Sequence, residues 1–264
     1  MMTKLMNILK WPLVLVTFFL LYFPIIIIAI LSVNESQSAH IFTGFTFKWY
    51  EEIITNSSLR TAIFNTFLIA IISTAISTVI GTAVAIGINA NSKKESTKVL
   101  MLSNIPIVNP DIVTGLSLMI VFSFVRLKFG FPSMLIAHIF FSVPFVILSV
   151  LPKLRSLDKD IFYGAVDLGC TPMQAVFKVI LPAIKTGIIT GALIAFTMSI
   201  DDFVISYFTT GSGFSNFSIW LYSRLGRRTF SPAAYAYNTL IIIGTFTTIM
   251  IMNLKSYRKE RKRN

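Results

Sequence analysis

An all-α integral membrane protein, six transmembrane helices with a helix-turn-helix loop facing the cytoplasm, is the fold class this sequence predicts. Three observations carry it. The 264 residues are 55% hydrophobic and only 13% charged, with a mean hydropathy of +0.76, whereas a soluble domain carries about a quarter charged residues. The charges fall in short islands between apolar runs of roughly 20 residues or more, the length that crosses a hydrocarbon core of about 30 Å. The longest polar connection, 153–183, is punctuated as two short helices.

The runs place spans near 11–33, 61–90, 99–125, 131–151, 184–209 and 234–254, within a single transmembrane domain covering 1–264. The first run, Pro12 to Val33, is too long for a signal-peptide core of about 7–15 residues, so it reads as an uncleaved anchor. In lipid every backbone polar group must be satisfied within its own segment, which makes these runs helices. Two of them carry small residues at every fourth position: Ser73, Ser77, Gly81 and Ala85, then Gly187, Gly191, Ala195 and Ser199. Such ladders let helix backbones approach closely, within one bundle and, by extension, against a second membrane subunit.

Between the spans, 34–60 gives an outer loop with Trp49 and Tyr50 beside Glu51 and Glu52, suited to the membrane interface. In the second outer segment Gly211 and Gly213 break the fifth helix. Ile219, Trp220, Tyr222 and Leu225 then form a short helix on or in the membrane, and Ser231-Pro232 starts the last span.

Charge placement sets the orientation. With the N-terminus inside, sixteen basic residues face the cytoplasm: Lys4, Lys10, Lys93, Lys94, Lys98, Lys153, Arg155, Lys159, Lys178, Lys185, Lys255, Arg258, Lys259, Arg261, Lys262 and Arg263. Seven face outward: Lys48, Arg60, Arg126, Lys128, Arg224, Arg227 and Arg228. The positive-inside rule therefore puts both termini in the cytoplasm. The net charge of +12 is thus explained by topology, and no nucleic-acid partner is expected.

Within 153–183, Asp158 and Asp160 suit a helix N-terminus. Ile161, Ala165 and Leu168 fall on one face, and Gly169 supplies a left-handed stop. Thr171 and Gln174 have capping-box spacing around Pro172, and Met173, Val176, Phe177 and Ile180 make a second apolar face. A DNA-reading role is excluded because spans tether the loop closely at both ends.

Three carboxylates lie inside the spans: Asp111, Asp201 and Asp202. A charge at a helix centre costs about 2.5–3.5 kcal/mol on insertion scales, so such residues face a cavity or a partner. Asp111 shares a polar stripe with Asn104, Thr114 and Gly115, in a helix interrupted by Pro106 and Pro110. Asp201 and Asp202 are adjacent, so they point about 100° apart on a helix and cannot both face one pore squarely. Asp202, sharing a face with Ser199, Ser206 and Thr209, is then the water-facing acid. Asp201 falls with Val204, Ile205 and Phe208. Phe203, Tyr207 and Phe208 beside these acids suit an organic ammonium, through charge and cation–π attraction together.

Catalysis finds little support. There is no Gly-x-x-x-x-Gly-Lys-Ser/Thr phosphate loop, so ATP use would belong to another chain. Cys170 alone makes neither a disulfide nor a thiolate metal site. His138, on an apolar helix, reads as structural because no Gly-x-Ser-x-Gly serine accompanies it. No catalytic residue, metal ligand or resident cofactor is expected.

Ala165-Val166-Asp167-Leu168-Gly169, with Leu181-Pro182 twelve residues on, resembles the EAA loop of bacterial ABC-importer permeases. With Asn109-Pro110-Asp111-Ile112-Val113 and Phe196-Thr197-Met198-Ser199-Ile200-Asp201-Asp202, the chain is similar to the PotC-type branch of spermidine/putrescine importers. The resemblance implies a type I ABC-importer permease in the bacterial inner membrane, importing polyamines by alternating access. The implied partners are a second homologous permease, two cytoplasmic ATPase subunits carrying ATP-Mg, and an extracytoplasmic polyamine-binding protein. It implies ATPase coupling through Tyr163, Gly164, Ala165, Asp167, Leu168, Gly169, Leu181 and Pro182, and a substrate path touching Asp202, Asp201, Asp111, Asn104 and Tyr207. One departure stands out: the loop's usual glutamate is Tyr163, and the next alanine is Gly164. The rival readings are a permease for another solute and a self-sufficient channel or ion-driven transporter. An anion path would need Arg or Lys within the spans, and none lies deep in them.

Overall fold

The computed structural model describes residues 2–158, 160–226 and 230–261. Lys159, Arg227, Arg228, Lys262 and Arg263, which entered the charge comparison, lie outside the described residues. The fold is all-helical: among the described residues there is no β-strand, only isolated bridges at Asn34–Phe45 and Gly211–Phe214. The chain divides into two compact units, 1–60 with 223–264, and 61–222.

In the first unit, α1 (Met2–Ser32) packs on α13 (Ala233–Arg261), which also packs on α2 (Lys48–Thr55). Trp11, Leu15, Leu20 and Leu21 on α1 are about two-thirds exposed, a cost no aqueous surface would sustain and lipid removes. The loop after α1 is built on one buried residue. The Asn34 side chain donates to the Ser38 and Ile41 carbonyls and accepts from the Ser36 and Thr43 amides, and its own carbonyl accepts from the Trp49 indole at 2.6 Å. At the start of α13, the Ser231 hydroxyl accepts from Ala233 N–H and donates to Glu52 at 2.9 Å.

The second unit is organised around α6 (Phe131–Arg155), with α10 (Lys185–Ile200) as its main packing partner and α3 (Ser57–Ala90) also contributing to the core. Both small-residue ladders serve this core. A Cβ on Gly81 would stand 2.7 Å from Val146, and one on Gly191 would stand 3.2 Å from the Val146 Cα. Ala85, Ile88, Val146, Ile147, Val150, Ile184 and Ala195 close the space between these helices.

Two expected spans are not continuous. The third, 99–125, is α4 (Lys93–Val108) and α5 (Asp111–Phe124), bent by 104° at Asn109-Pro110. Pro110 has no N–H to donate and its ring clashes with a helical carbonyl four residues back, so the helix stops before it. The fifth, 184–209, is α10, a non-helical step at 201–203, and α11 (Val204–Thr209). Ahead of α10 run α7 (Asp160–Asp167), α8 (Pro172–Ala175), a π-helical turn (Val176–Ile180) and α9 (Leu181–Ala183). The 172–183 segment meets α10 at 71°. After α11, α12 (Phe217–Gly226) is capped by Asn216, whose side chain accepts from Ile219 N–H at 3.0 Å. Three helices among the described residues are long and apolar enough to cross a membrane, Lys10–Ser32, Ser57–Ala90 and Phe131–Arg155, or up to five if each bent pair counts as one. The sixth expected span, 234–254, lies in α13 and is not among them.

Candidate functional site

The step between α10 and α11 separates the two adjacent carboxylates. Asp201 ends α10, its N–H bonded to the Thr197 carbonyl at 3.3 Å, and its exposed side chain has no hydrogen bond or ion pair among the described residues. Asp202 turns the other way. Its carboxylate accepts from Ile205 N–H at 3.2 Å and Ser206 N–H at 2.7 Å, capping α11, and the side chain is only 9% exposed. The expectation that Asp202 is the water-facing acid is therefore overturned. It assumed an unbroken helix; where the helix breaks, the 100° rule no longer relates the neighbours. The expected companions of Asp202 are at hand, but that face is buried: Ser206 and Thr209 are fully enclosed and Ser199 nearly so.

The buried face holds a polar cluster centred on His138 of α6, itself 1% exposed. Its Nδ1 lies 2.7 Å from Ser199 Oγ, and its Nε2 lies 3.0 Å from Ser206 Oγ and 3.5 Å from Asp202 Oδ2. Ser199 also meets Ser73 of α3 at 3.2 Å, and the Asn216 amide donates to Ser206 at 2.8 Å. A serine, a histidine and an aspartate in a row resemble a hydrolytic triad only on paper. Both serines are sealed from water, and the carboxylate is already engaged by two backbone N–H groups, so no substrate carbonyl can reach a nucleophile. Among the described residues no group of His, Cys, Asp and Glu could hold a metal ion.

Two residues along the chain from the exposed Asp201, Phe203 opens an aromatic group. Phe203, Tyr207 and Tyr222 sit at mutual ring-centroid distances of 5.7, 5.1 and 5.6 Å, with Tyr207 and Tyr222 about half exposed. Tyr222 was legible only as part of the short helix α12; no local pattern links it to Phe203. Phe208, expected in the same group, meets Tyr207 edge-on at a ring-centroid distance of 5.5 Å and also packs on α5, where a Cβ on Gly115 would stand 2.8 Å from its ring.

Asp111 is the exposed first residue of α5, while Asn104 lies in α4 across the 104° bend, so the two do not share a helical stripe. Thr114 and Gly115, one turn on from Asp111, are buried. The stripe was drawn with the period of a helix that Pro110 interrupts.

The second candidate region is 156–184. Asp158 caps the entry to α7 by accepting from Asp160 N–H at 3.0 Å. At its exit Gly169 adopts φ +91°, its N–H bonds the Val166 carbonyl at 2.8 Å, and Cys170 N–H bonds the Ala165 carbonyl at 3.1 Å. This paired closure needs a left-handed residue and is met at least cost by glycine. The capping box is present in both directions: Gln174 N–H to Thr171 Oγ1 at 3.3 Å, and Thr171 N–H to Gln174 Oε1 at 3.1 Å.

The expected apolar faces are split. Ala165 is buried, but Ile161, at the start of α7, is 40% exposed and Leu168, just past its last helical residue, is 88% exposed. Ile180 is buried while Met173 and Phe177 are 67% and 62% exposed, since the π-helical turn changes the register, with Leu181 N–H bonding the Val176 carbonyl five residues back. Tyr163 is 63% exposed, Asp167, Gly169 and Pro182 are exposed, Leu181 is half-buried, and a Cβ on the half-buried Gly164 would meet nothing within 4 Å.

Comparison with known proteins places these features in context. Residues 78–257 match the family model described as "Binding-protein-dependent transport system inner membrane component". The chain is 31% identical to the spermidine/putrescine transport system permease protein PotC of Escherichia coli (strain K12), over 89% of this chain and 88% of that one. It is 31% identical to the putrescine transport system permease protein PotI of the same strain, over 86% and 83%. Among solved structures, a bacterial ABC transporter that imports the acidic polysaccharide alginate shares the fold, with a TM-score of 0.73 at 16% identity over 97% of this chain and 96% of that one. The inward-facing methionine transporter MetNI gives a TM-score of 0.59 at 20% identity, over 76% and 94%.

Proposed function

The chain belongs to the binding-protein-dependent transport system inner membrane components, in their PotC-like branch, and is a permease subunit of an ABC importer; we propose that its cargo is a polyamine. The observation that carries this reading is Asp201, an exposed carboxylate at a break within a span, two residues before Phe203, whose ring groups with those of Tyr207 and Tyr222. A polyamine is a chain of ammonium centres joined by methylenes. A carboxylate answers the charge, and aromatic faces answer both the ammonium and the methylenes. The names of the relatives, which concern spermidine and putrescine, point the same way. Asp111 and Asn104 mark a second bend along the same path, and Asp202 acts on the path indirectly, by capping the start of α11 at the break.

The exposed apolar residues Leu168, Met173 and Phe177, with Tyr163, lie in the connection between α6 and α10 and form the surface that meets a cytoplasmic ATPase subunit. Tyr163 replaces a charged contact by a ring and a hydroxyl. Gly164, Ala165, Asp167, Gly169, Leu181 and Pro182 shape that surface. ATP-Mg is bound and hydrolysed on two such partner subunits. A homologous permease completes the pore, an extracytoplasmic binding protein delivers the polyamine, and both termini of this chain lie in the cytoplasm. Alternating access follows only if the loop binds the ATPase states unequally, since equal affinity for both would shift nothing.

The test is uptake of labelled spermidine by the complete transporter carrying Asp201→Asn. Loss of one path charge raises the half-saturating concentration by about tenfold, with assembly intact. Wild-type uptake by a fully assembled variant would remove Asp201 from the path. Uptake by this subunit alone would remove the ATPase from the account.

A further inference from the structure

The break in the fifth span is spanned by a single side chain from another helix. Ser199 is the next-to-last residue of α10 and Ser206 the third residue of α11. The imidazole of His138, on α6, meets the first at 2.7 Å and the second at 3.0 Å, one ring nitrogen to each. We infer that His138 is a positioning residue that clamps the two half-helices and so decides which of the adjacent carboxylates is free: Asp202 turned inward as the cap of α11, Asp201 left outward. The inference rests on the proposed polyamine path for its consequence in transport, but its geometry does not depend on the cargo.

The hydrogen-bond directions are consistent around the ring. Asp202 Oδ2 lies 3.5 Å from Nε2, so the favourable tautomer carries its proton on Nε2, facing Ser206 Oγ and the carboxylate; the other would set a lone pair against a negative charge. Nδ1 then accepts from the Ser199 hydroxyl, which in turn accepts from Ser73 Oγ at 3.2 Å. Asn216 braces the far half, donating to Ser206 Oγ at 2.8 Å and to the Asp202 carbonyl at 3.5 Å. The polar side chains of this buried cluster pair with one another or with backbone groups, and such clusters hold one geometry firmly because an unpaired group there is costly. If the clamp is removed, Ser199 and Ser206 lose their common side-chain partner, the tie from α6 to both ends of the step is gone, and Asp202 loses the imidazole that faces its carboxylate.

The test uses the assembled transporter, purified without nucleotide, on a Cys170→Ser background. A cationic methanethiosulfonate reagent reports the thiol introduced by Asp201→Cys or by Asp202→Cys. With His138 present, the thiol at 201 reacts about tenfold faster than that at 202, because access governs thiol reactivity. With His138→Ala that contrast collapses, and in the Cys170→Ser transporter with both aspartates intact the half-saturating spermidine concentration rises more than the maximal rate falls.

Two conservative variants separate positioning from bulk packing. Gln places its amide near where Nε2 stands and retains the reach to Ser206, whereas Asn reaches only Ser199. His138→Gln therefore preserves most of the labelling contrast, and His138→Asn behaves like His138→Ala. This pair carries the test if the alanine variant fails to accumulate. Equal reactivity at 201 and 202 with His138 present, or an undiminished contrast in both His138→Ala and His138→Asn, overturns the inference. Retained labelling behaviour in a transporter that moves no polyamine upholds the clamp and sinks the proposed cargo.

Discussion

The step at 201–203 and the connection at 156–184 are both polar interruptions of apolar sequence, yet they fold in opposite senses. At the step, inside a span, five polar side chains turn inward and satisfy one another: Ser73, His138, Ser199, Asp202 and Ser206. One carboxylate, Asp201, is left over. In the connection the polar residues are spent on helix ends, at Asp158, Thr171 and Gln174, and the apolar ones are left over: Leu168, Met173 and Phe177. The leftover group in each region is the one to which the proposed function gives a role: the carboxylate answers a cation, and the apolar side chains answer a protein partner. In both places the pairing of neighbouring groups makes the remainder conspicuous.

This contrast can be broken at several points, and the expected effects differ in size. Gly169→Pro acts most strongly, because it forces φ from +91° to about −65° and deletes the N–H that bonds Val166, a penalty of about 3 kcal/mol or more. Spermidine-stimulated ATP hydrolysis by the reconstituted transporter should be lost, while the 201 and 202 labelling contrast survives. Leu168→Asp comes next. If this side chain is seated in a partner pocket, its replacement costs about 2 kcal/mol or more of binding, close to thirtyfold in affinity. Co-purification of the ATPase should fall accordingly, with the permease itself equally stable to heat. Undiminished co-purification would mean that the apolar remainder of the loop faces something else.

Asp202→Ala, at the step, removes the cap on α11 and costs about 1 kcal/mol. It also leaves His138 without its carboxylate, so thermal inactivation of the solubilised complex should begin earlier, with ATPase co-purification unchanged. Gly164→Ala is the smallest change and has the opposite sign. Its added methyl meets nothing within 4 Å, and alanine is the better helix former by about 1 kcal/mol or less. A slight gain in thermal stability with unaltered uptake is expected; a loss would show that a partner packs against that position.

Much of this was legible because it is local. Gly169 as a left-handed stop and the Thr171–Gln174 capping box are matters of three to six residues, where the chain's own stereochemistry decides. The ladders at 73–85 and 187–199 were legible too, since a small side chain every fourth residue has little use other than close approach. What misled was the extension of a helical period across a break. The stripe from Asn104 to Asp111 and the face assigned to Asp202 both assumed continuity. Pro110 warned of the first break, and nothing in the neighbouring residues warned of the second. The π-helical turn at Val176–Ile180 displaced the apolar face in the same way.

By itself, then, the sequence determined that this is a multi-pass helical membrane protein, where its packing ladders run and where its short loop helices start and stop, because hydropathy, glycine stereochemistry and capping act over a few residues at a time. Tertiary structure alone decided which of two adjacent aspartates is free. That choice depends on an imidazole sixty residues away, and its hydrogen bonds exist only once α6, α10 and α11 are packed together.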